Sequence, residues 1–138
     1  MKKLFSLILG LCLLSLSFNA LAEDSINWRE WSPQIFKEAQ KQHKLVMVFG
    51  KAEWCPWCQR MKSNTYADPE VIALMNKSFI PVHVDVDQDS ALAEELHIDN
   101  LPTILFMNAN QKVLKETKGY TTAGTMIRYM KEALSENH

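Results

Sequence analysis

The segment Leu45-Val46-Met47-Val48-Phe49-Gly50-Lys51-Ala52-Glu53-Trp54-Cys55-Pro56-Trp57-Cys58 decides how the 138-residue chain is read. Its first five residues are an apolar run of strand length. Without polar alternation, such a run fits a strand buried on both faces. Gly50 to Trp54 turns the chain. Pro56 suits a first helical turn, where its missing N–H is not needed, so a helix starts at Cys55 or Pro56. A cysteine there meets unpaired N–H groups and the positive end of the helix dipole. Its thiol pKa falls from about 8.5 toward the range 3.5–7.5. The Cys55 thiolate can then attack a disulfide. Cys58 lies one turn later on the same face, placed to resolve the mixed disulfide.

Upstream, Ser32-Pro33 reads as an N-cap with proline at the first helical position, opening a helix that ends near His43. Trp28 and Trp31 precede it and pack on the body. Downstream, Asp68-Pro69-Glu70 signals a second helix start, and Val71, Ile72, Leu74 and Met75 supply its apolar residues. Phe79 to Val86 is a strand in which Ile80, Val82, Val84 and Val86 alternate with His83 and Asp85. A short helix is expected over residues 90–97. Leu101-Pro102-Thr103 leads into the apolar run Ile104 to Met107, and Asn108 to Gln111 turns into a hairpin partner over residues 112–117. Gly119 breaks that strand. A terminal helix over residues 122–134 places Met126, Ile127, Met130 and Leu134 on one face. The expected fold is α/β, a mixed central sheet of about four strands covered by helices on both faces.

Composition sets the outer limits. The chain is 47% apolar and 22% charged, with a formal net charge of -1. This is one globular domain and gives no reason to expect a nucleic-acid partner. Residues 1–22 are read apart from the fold. Met1-Lys2-Lys3 is a basic start, residues 4–18 are apolar and uncharged, and Ala20-Leu21-Ala22 offers small residues for cleavage before Glu23. This is the layout of a secretory signal peptide. The competing reading, an uncleaved membrane anchor, has a short span against the roughly 20 residues required. Cys12 goes with the leader, since Leu11 is too bulky for a lipoprotein cleavage site. The domain is then residues 23–138, and the Lys-Lys start looks bacterial, giving a periplasmic location. Cys55 and Cys58 are its two cysteines. A structural staple normally closes a longer loop, so a close pair in an exported protein reads as redox-active.

Other uses of the pair fit less well. A zinc site needs two more ligands, and His43, His83, His97 and His138 show no paired spacing. Covalent haem needs a histidine after the second cysteine, where this chain has Gln59. Two thiolates can hold Cu(I), so a metallochaperone is the alternative from another class.

Ala52-Glu53-Trp54-Cys55-Pro56-Trp57-Cys58 after its strand resembles the active-site segment of the thioredoxin superfamily. Residues 100–106, centred on Leu101-Pro102-Thr103, resemble the family's cis-proline segment, and Gly119 falls where the family has a glycine. The stretch 65–71, together with Leu101 to Phe106, resembles the C-terminal thioredoxin-like domain of the thiol:disulfide interchange reductase DsbD. The resemblance implies a thioredoxin-like fold over roughly residues 30–134. It implies that Cys55 attacks and Cys58 resolves, and that Pro102, cis to Leu101, lies against the sulfurs beside a bound substrate segment. It also implies that no metal or organic cofactor is needed, and that the protein is a monomer. Its partners would be disulfide-containing exported proteins and a membrane electron donor or acceptor. The reducing direction follows the likeness to a reductase; oxidant or isomerase is the rival. One departure is Phe49, which stands where thioredoxin has a buried aspartate, leaving Glu53 or the Asp85 region as substitutes. Of the remaining residues, Trp57 is expected to be exposed and to grip substrate, and Trp54 to pack beside the motif. Lys51 is read as solvated, His83 as a surface or helix-covered residue, and Asp85, Asp87 and Asp89 as loop and cap residues. The methionines are read as core.

Overall fold

The computed structural model describes residues 24–137. The expected leader, residues 1–22, lies outside them. In chain order the elements are β1 (Arg29–Glu30), α1 (Gln34–Gln42), β2 (Leu45–Lys51), α2 (Pro56–Ser63), a 3-10 turn (Thr65–Ala67), α3 (Pro69–Ser78), β3 (Phe79–Asp85), α4 (Ser90–Glu95), β4 (Thr103–Met107), β5 (Val113–Lys118) and α5 (Ala123–Glu136). The strands form one sheet in the order β1-β3-β2-β4-β5. β2 pairs parallel with β3 and antiparallel with β4, and β5 runs antiparallel to β4.

All seven residues of β2 are buried, as expected of the central strand in a covered sheet. Its side chains alternate between two cores. Leu45, Met47 and Phe49 face Met61 of α2, Val71, Ile72 and Met75 of α3, and Met126, Met130 and Ala133 of α5. Val46 and Val48 face Ile35, Phe36 and Ala39 of α1, and Leu92 and Ala93 of α4. The Asp68 cap forms as read: its carboxylate accepts the backbone N–H groups of Glu70 and Val71 at 2.9 and 3.1 Å.

Four local expectations are corrected. The sheet has five strands, because Arg29–Glu30 adds a two-residue parallel edge beside β3; both residues are exposed, so they carry no apolar pattern to reveal it. α1 begins at Gln34, with Pro33 in the cap position. Ser32 contributes its carbonyl to the Ile35 N–H at 3.1 Å rather than a side-chain cap. α4 stops at Glu95, and His97 turns the chain with φ 55°. β3 does not alternate between core and solvent: six of its seven residues are buried, Asp85 among them, because it is an interior strand.

At Gly50, β2 runs close against Ile98 and the start of β4. A Cβ there would lie 2.8 Å from Ile98 Cγ2, 3.1 Å from Ile98 Cδ1 and 3.4 Å from the Thr103 carbonyl oxygen. Gly50→Ala is therefore expected to destabilise by about 1–3 kcal/mol through overpacking. The same substitution in an Ile98→Ala background should cost clearly less, since the methyl then fills vacated space. Urea titrations of the four proteins of this cycle read the coupling; strict additivity would show that the contact does not govern the site.

Candidate active site

The sheet order brings four chain segments to one edge. β2 and β3 end there, β4 begins there and β5 ends there. From β2 the chain turns through Ala52, whose carbonyl accepts the Cys55 N–H at 3.2 Å. Cys55 is the extended N-cap of α2 (φ -84°, ψ 108°) and Pro56 opens the helix. Cys55 Sγ accepts the Cys58 backbone N–H at 3.2 Å. The two cysteines form a disulfide with Cα atoms 5.3 Å apart. Cys55 keeps 3% of its surface and Cys58 none. The N–H that now meets a disulfide sulfur would stabilise a thiolate at the same position.

Thr103 stands opposite Gly50, so Leu101 and Pro102 sit at this edge. The Leu101–Pro102 peptide bond is cis. Leu101 is half-buried between the two cores. The Pro102 carbonyl accepts the Gly119 N–H at 2.8 Å, tying the start of β4 to the end of β5. Trp57 is 52% exposed, and its ring lies 5.6 Å from that of Tyr120.

Two residues sit otherwise than the sequence suggested. Lys51 is buried, not solvated. Its Nζ donates to Glu53 Oε1 at 2.8 Å and to Asp85 Oδ2 at 3.1 Å. Burial opposes the Lys51 charge, but the hydrogen bonds to Glu53 and Asp85 outweigh it and hold the ammonium above its usual range. Burial also works against the Asp85 charge. Lys51 and the N–H groups of Asp87 and Gln88 prevail, and the carboxyl is held below the ordinary range. The expected turn at Gly50 is also corrected: β2 continues through Gly50 to Lys51 and β3 ends at Asp85, so each strand closes on a charged residue, of opposite sign. Only the parallel register sets Lys51 opposite Asp85.

Trp54 is the second. It is 66% exposed rather than packed, and its Nε1 donates to Asp87 Oδ2 at 2.7 Å. Beneath the site, Phe49 is enclosed with Trp28 and Tyr66, ring centroids 5.0 to 5.6 Å apart. Burial pushes the Tyr66 hydroxyl up. The Phe49 position is thus dry and aromatic, and the buried charges lie two residues further along the strands. His83 is partly exposed, stacked on Trp28 and hydrogen-bonded to Glu30. Asp89 caps α4 through the Leu92 N–H, as read. Among the described residues, no three or more His, Cys, Asp or Glu side chains gather as a metal site.

Comparison with known proteins agrees with this architecture. The family model Thioredox_DsbH, described as a protein of unknown function (DUF255), matches residues 14–118. The thiol:disulfide interchange protein DsbD of Photorhabdus laumondii is 32% identical over 95 residues, covering 67% of this chain and 16% of the relative. The chain thus spans less than a fifth of the DsbD relatives it matches. Thioredoxin H3 of Arabidopsis thaliana is 32% identical over 88 residues, 64% of this chain and 69% of the relative. Among solved structures, a DsbH oxidoreductase superposes with a TM-score of 0.72 at 18% identity, covering 84% of this chain and 89% of that one.

Removing the Lys51 ammonium leaves Asp85 buried without its cation. Lys51→Met is expected to lower the unfolding free energy by about 3–5 kcal/mol at pH 7. The folded Asp85 carboxyl titrates below its unfolded value. Its stabilisation is therefore complete above the ordinary carboxylate pKa of about 3.9 and is lost as pH falls through the lower folded value. Urea midpoints followed by circular dichroism should show the gap between wild type and variant narrowing on acidification below about pH 4. Equal stability at pH 7, or a gap indifferent to pH, would contradict the pairing.

Proposed function

The chain belongs to the thioredoxin superfamily, through the DsbH-type family whose model matches most of it, and on that premise we propose that it is an exported thiol:disulfide oxidoreductase that reduces disulfides in exported proteins. The observation that carries the reading is the Cys55–Cys58 disulfide at the N-terminus of α2, with Cys55 Sγ accepting a backbone N–H.

In the reduced protein, the Cys55 thiolate attacks one sulfur of a partner disulfide. A Cys55–partner disulfide forms and the partner's other sulfur leaves as a thiolate. Cys58 then loses its proton and attacks Cys55 Sγ. The Cys55–Cys58 bond forms and the partner's first sulfur leaves. Two electrons pass to the partner, and the two thiolates released take up protons. Attack at Cys55 accords with its surface, since Cys58 has none. The partner's extended segment lies beside Leu101 and Pro102, with Trp57 as an apolar contact. The dithiol is the redox group and no further cofactor is required. A dithiol donor in the membrane restores the reduced form.

Export rests on the leader over residues 1–22. Among the described residues, no helix is long and apolar enough to cross a membrane. Expressed as the full chain in a bacterial host, the protein should be recovered from the periplasm with Glu23 as its first residue by N-terminal sequencing. A membrane-bound product retaining Met1 would show an anchor instead.

The direction is read from equilibrium with a thiol buffer. A reduction potential near about -270 mV marks a reductant, whereas one near about -120 mV would make the protein an oxidant. In an insulin reduction assay, Cys55→Ser should abolish turnover, and Cys58→Ser should accumulate a mixed disulfide. Turnover surviving in Cys55→Ser would sink the mechanism. No turnover in wild type, together with tight stoichiometric Cu(I) binding, would replace the enzyme with a metallochaperone.

A further inference from the structure

The two exposed tryptophans at the redox edge lean to opposite sides. Trp54 reaches toward the β3 end, where Asp87 holds its indole N–H. Trp57 reaches toward the β5 end, where Tyr120 follows Gly119. Cys55 lies between them in the chain, just beyond the end of the central strand β2, and Cys58 follows Trp57 directly.

The two sides also differ in charge. Beside Trp54 stand the carboxylates of Glu53 and Asp87, with Lys51 and Lys62 near Glu53. Beside Trp57 stands Arg60, three residues on in α2. Its guanidinium carbon lies 5.5 Å from the Trp57 ring centroid and 5.7 Å from that of Tyr120. The chain has three arginines. Arg29 is paired with Glu38 and Arg128 with Glu132. Arg60 is exposed, and among the described residues its side chain has no carboxylate partner. Lys118, at the end of β5, is committed to Asp99 and Glu116. A guanidinium over aromatic rings keeps N–H donors available to a carboxylate, because the rings take up none of them as acceptors of an ion pair. Two aromatic rings hold Arg60, so less rotamer freedom is lost when an anion binds.

We propose that Arg60, resting against Trp57 and Tyr120, makes this protein select partners whose disulfide is flanked by an acidic residue. The inference rests on the thiol:disulfide exchange reading and names the substrate class for that site. The partner's carboxylate pairs with Arg60 while a neighbouring apolar side chain covers Trp57. Glu53 is paired with Lys51 and Lys62, so Asp87 is the carboxylate that repels the same group from the far side, and the segment enters with one polarity.

The test uses two disulfide-linked peptides that differ only in carrying Glu or Lys next to the cysteine. The reduction rate of each by the full protein is divided by its rate with dithiothreitol, which removes intrinsic differences in the peptides. Wild type should favour the Glu peptide by about fivefold in kcat/KM, the scale of one exposed charge pair. The preference should fall to about one in Arg60→Gln and in 0.5 M salt, roughly the regime where the Debye length drops well below 8 Å. Arg60→Lys should retain part of it. A wild-type ratio near one, or a ratio unchanged in Arg60→Gln, overturns the inference while leaving the exchange chemistry intact. If wild type reduces neither peptide, the exchange reading falls, and this inference with it.

Discussion

An ammonium at the end of an interior strand has few ways to stay charged. Lys51 closes β2 at the edge of a sheet covered on both sides, and a buried charge must be paired or neutralised. The carboxylate across the register, Asp85, is the partner that the parallel β2–β3 ladder supplies. The Lys51 carbonyl accepts the Val86 N–H at 3.0 Å, so the same residue fastens the next loop through its backbone. Asp85 caps that loop through Asp87 and Gln88. The ends of β2 and β3 are thereby locked together, and the turn that delivers Cys55 leaves from a fixed point.

Around that point, the site divides into a dry part and a polar one. Phe49, Trp28 and Tyr66 close the space below the strand with aromatic rings. Polar groups lie beyond, at Lys51, Glu53, Asp85 and Asp87. Gln59 Nε2 donates to the Glu53 carbonyl at 3.2 Å, so the polar part also holds the first turns of α2. The charged groups thus stand at the ends of β2 and β3 and in the loops beyond them, while aromatic rings occupy the Phe49 position.

The elements that the sequence disclosed are those whose signals are local. The apolar run at residues 45–49, the Asp68-Pro69 cap and the Cys55–Cys58 spacing each carry their physical cause within a few residues. Pro102 is intermediate: by its own chemistry it is a proline at a strand start, and its cis bond was expected only through family resemblance. What stayed hidden depends on pairings far apart in sequence. Lys51 looks like a surface lysine until β3 is laid beside β2. Trp54 looks like a packing residue until Asp87 is brought under its indole. Arg60 and Tyr120 are 60 positions apart and meet only because β5 ends at the edge where α2 begins. The edge strand Arg29–Glu30 is hidden for a different reason: two exposed residues have no period.

That edge strand and its counterpart across the sheet bear on how the protein behaves in a crowded compartment. β1 exposes only two residues of ladder, too short a template to recruit another chain. The opposite edge, β5, carries Lys115, Glu116 and Lys118, and Lys115 is drawn to Glu132 of α5 at 2.8 Å. Charged side chains along an outer strand oppose stacking by a second sheet. Both flanks of the sheet thus carry features that oppose edge-to-edge pairing, a two-residue strand on one side and charged side chains on the other.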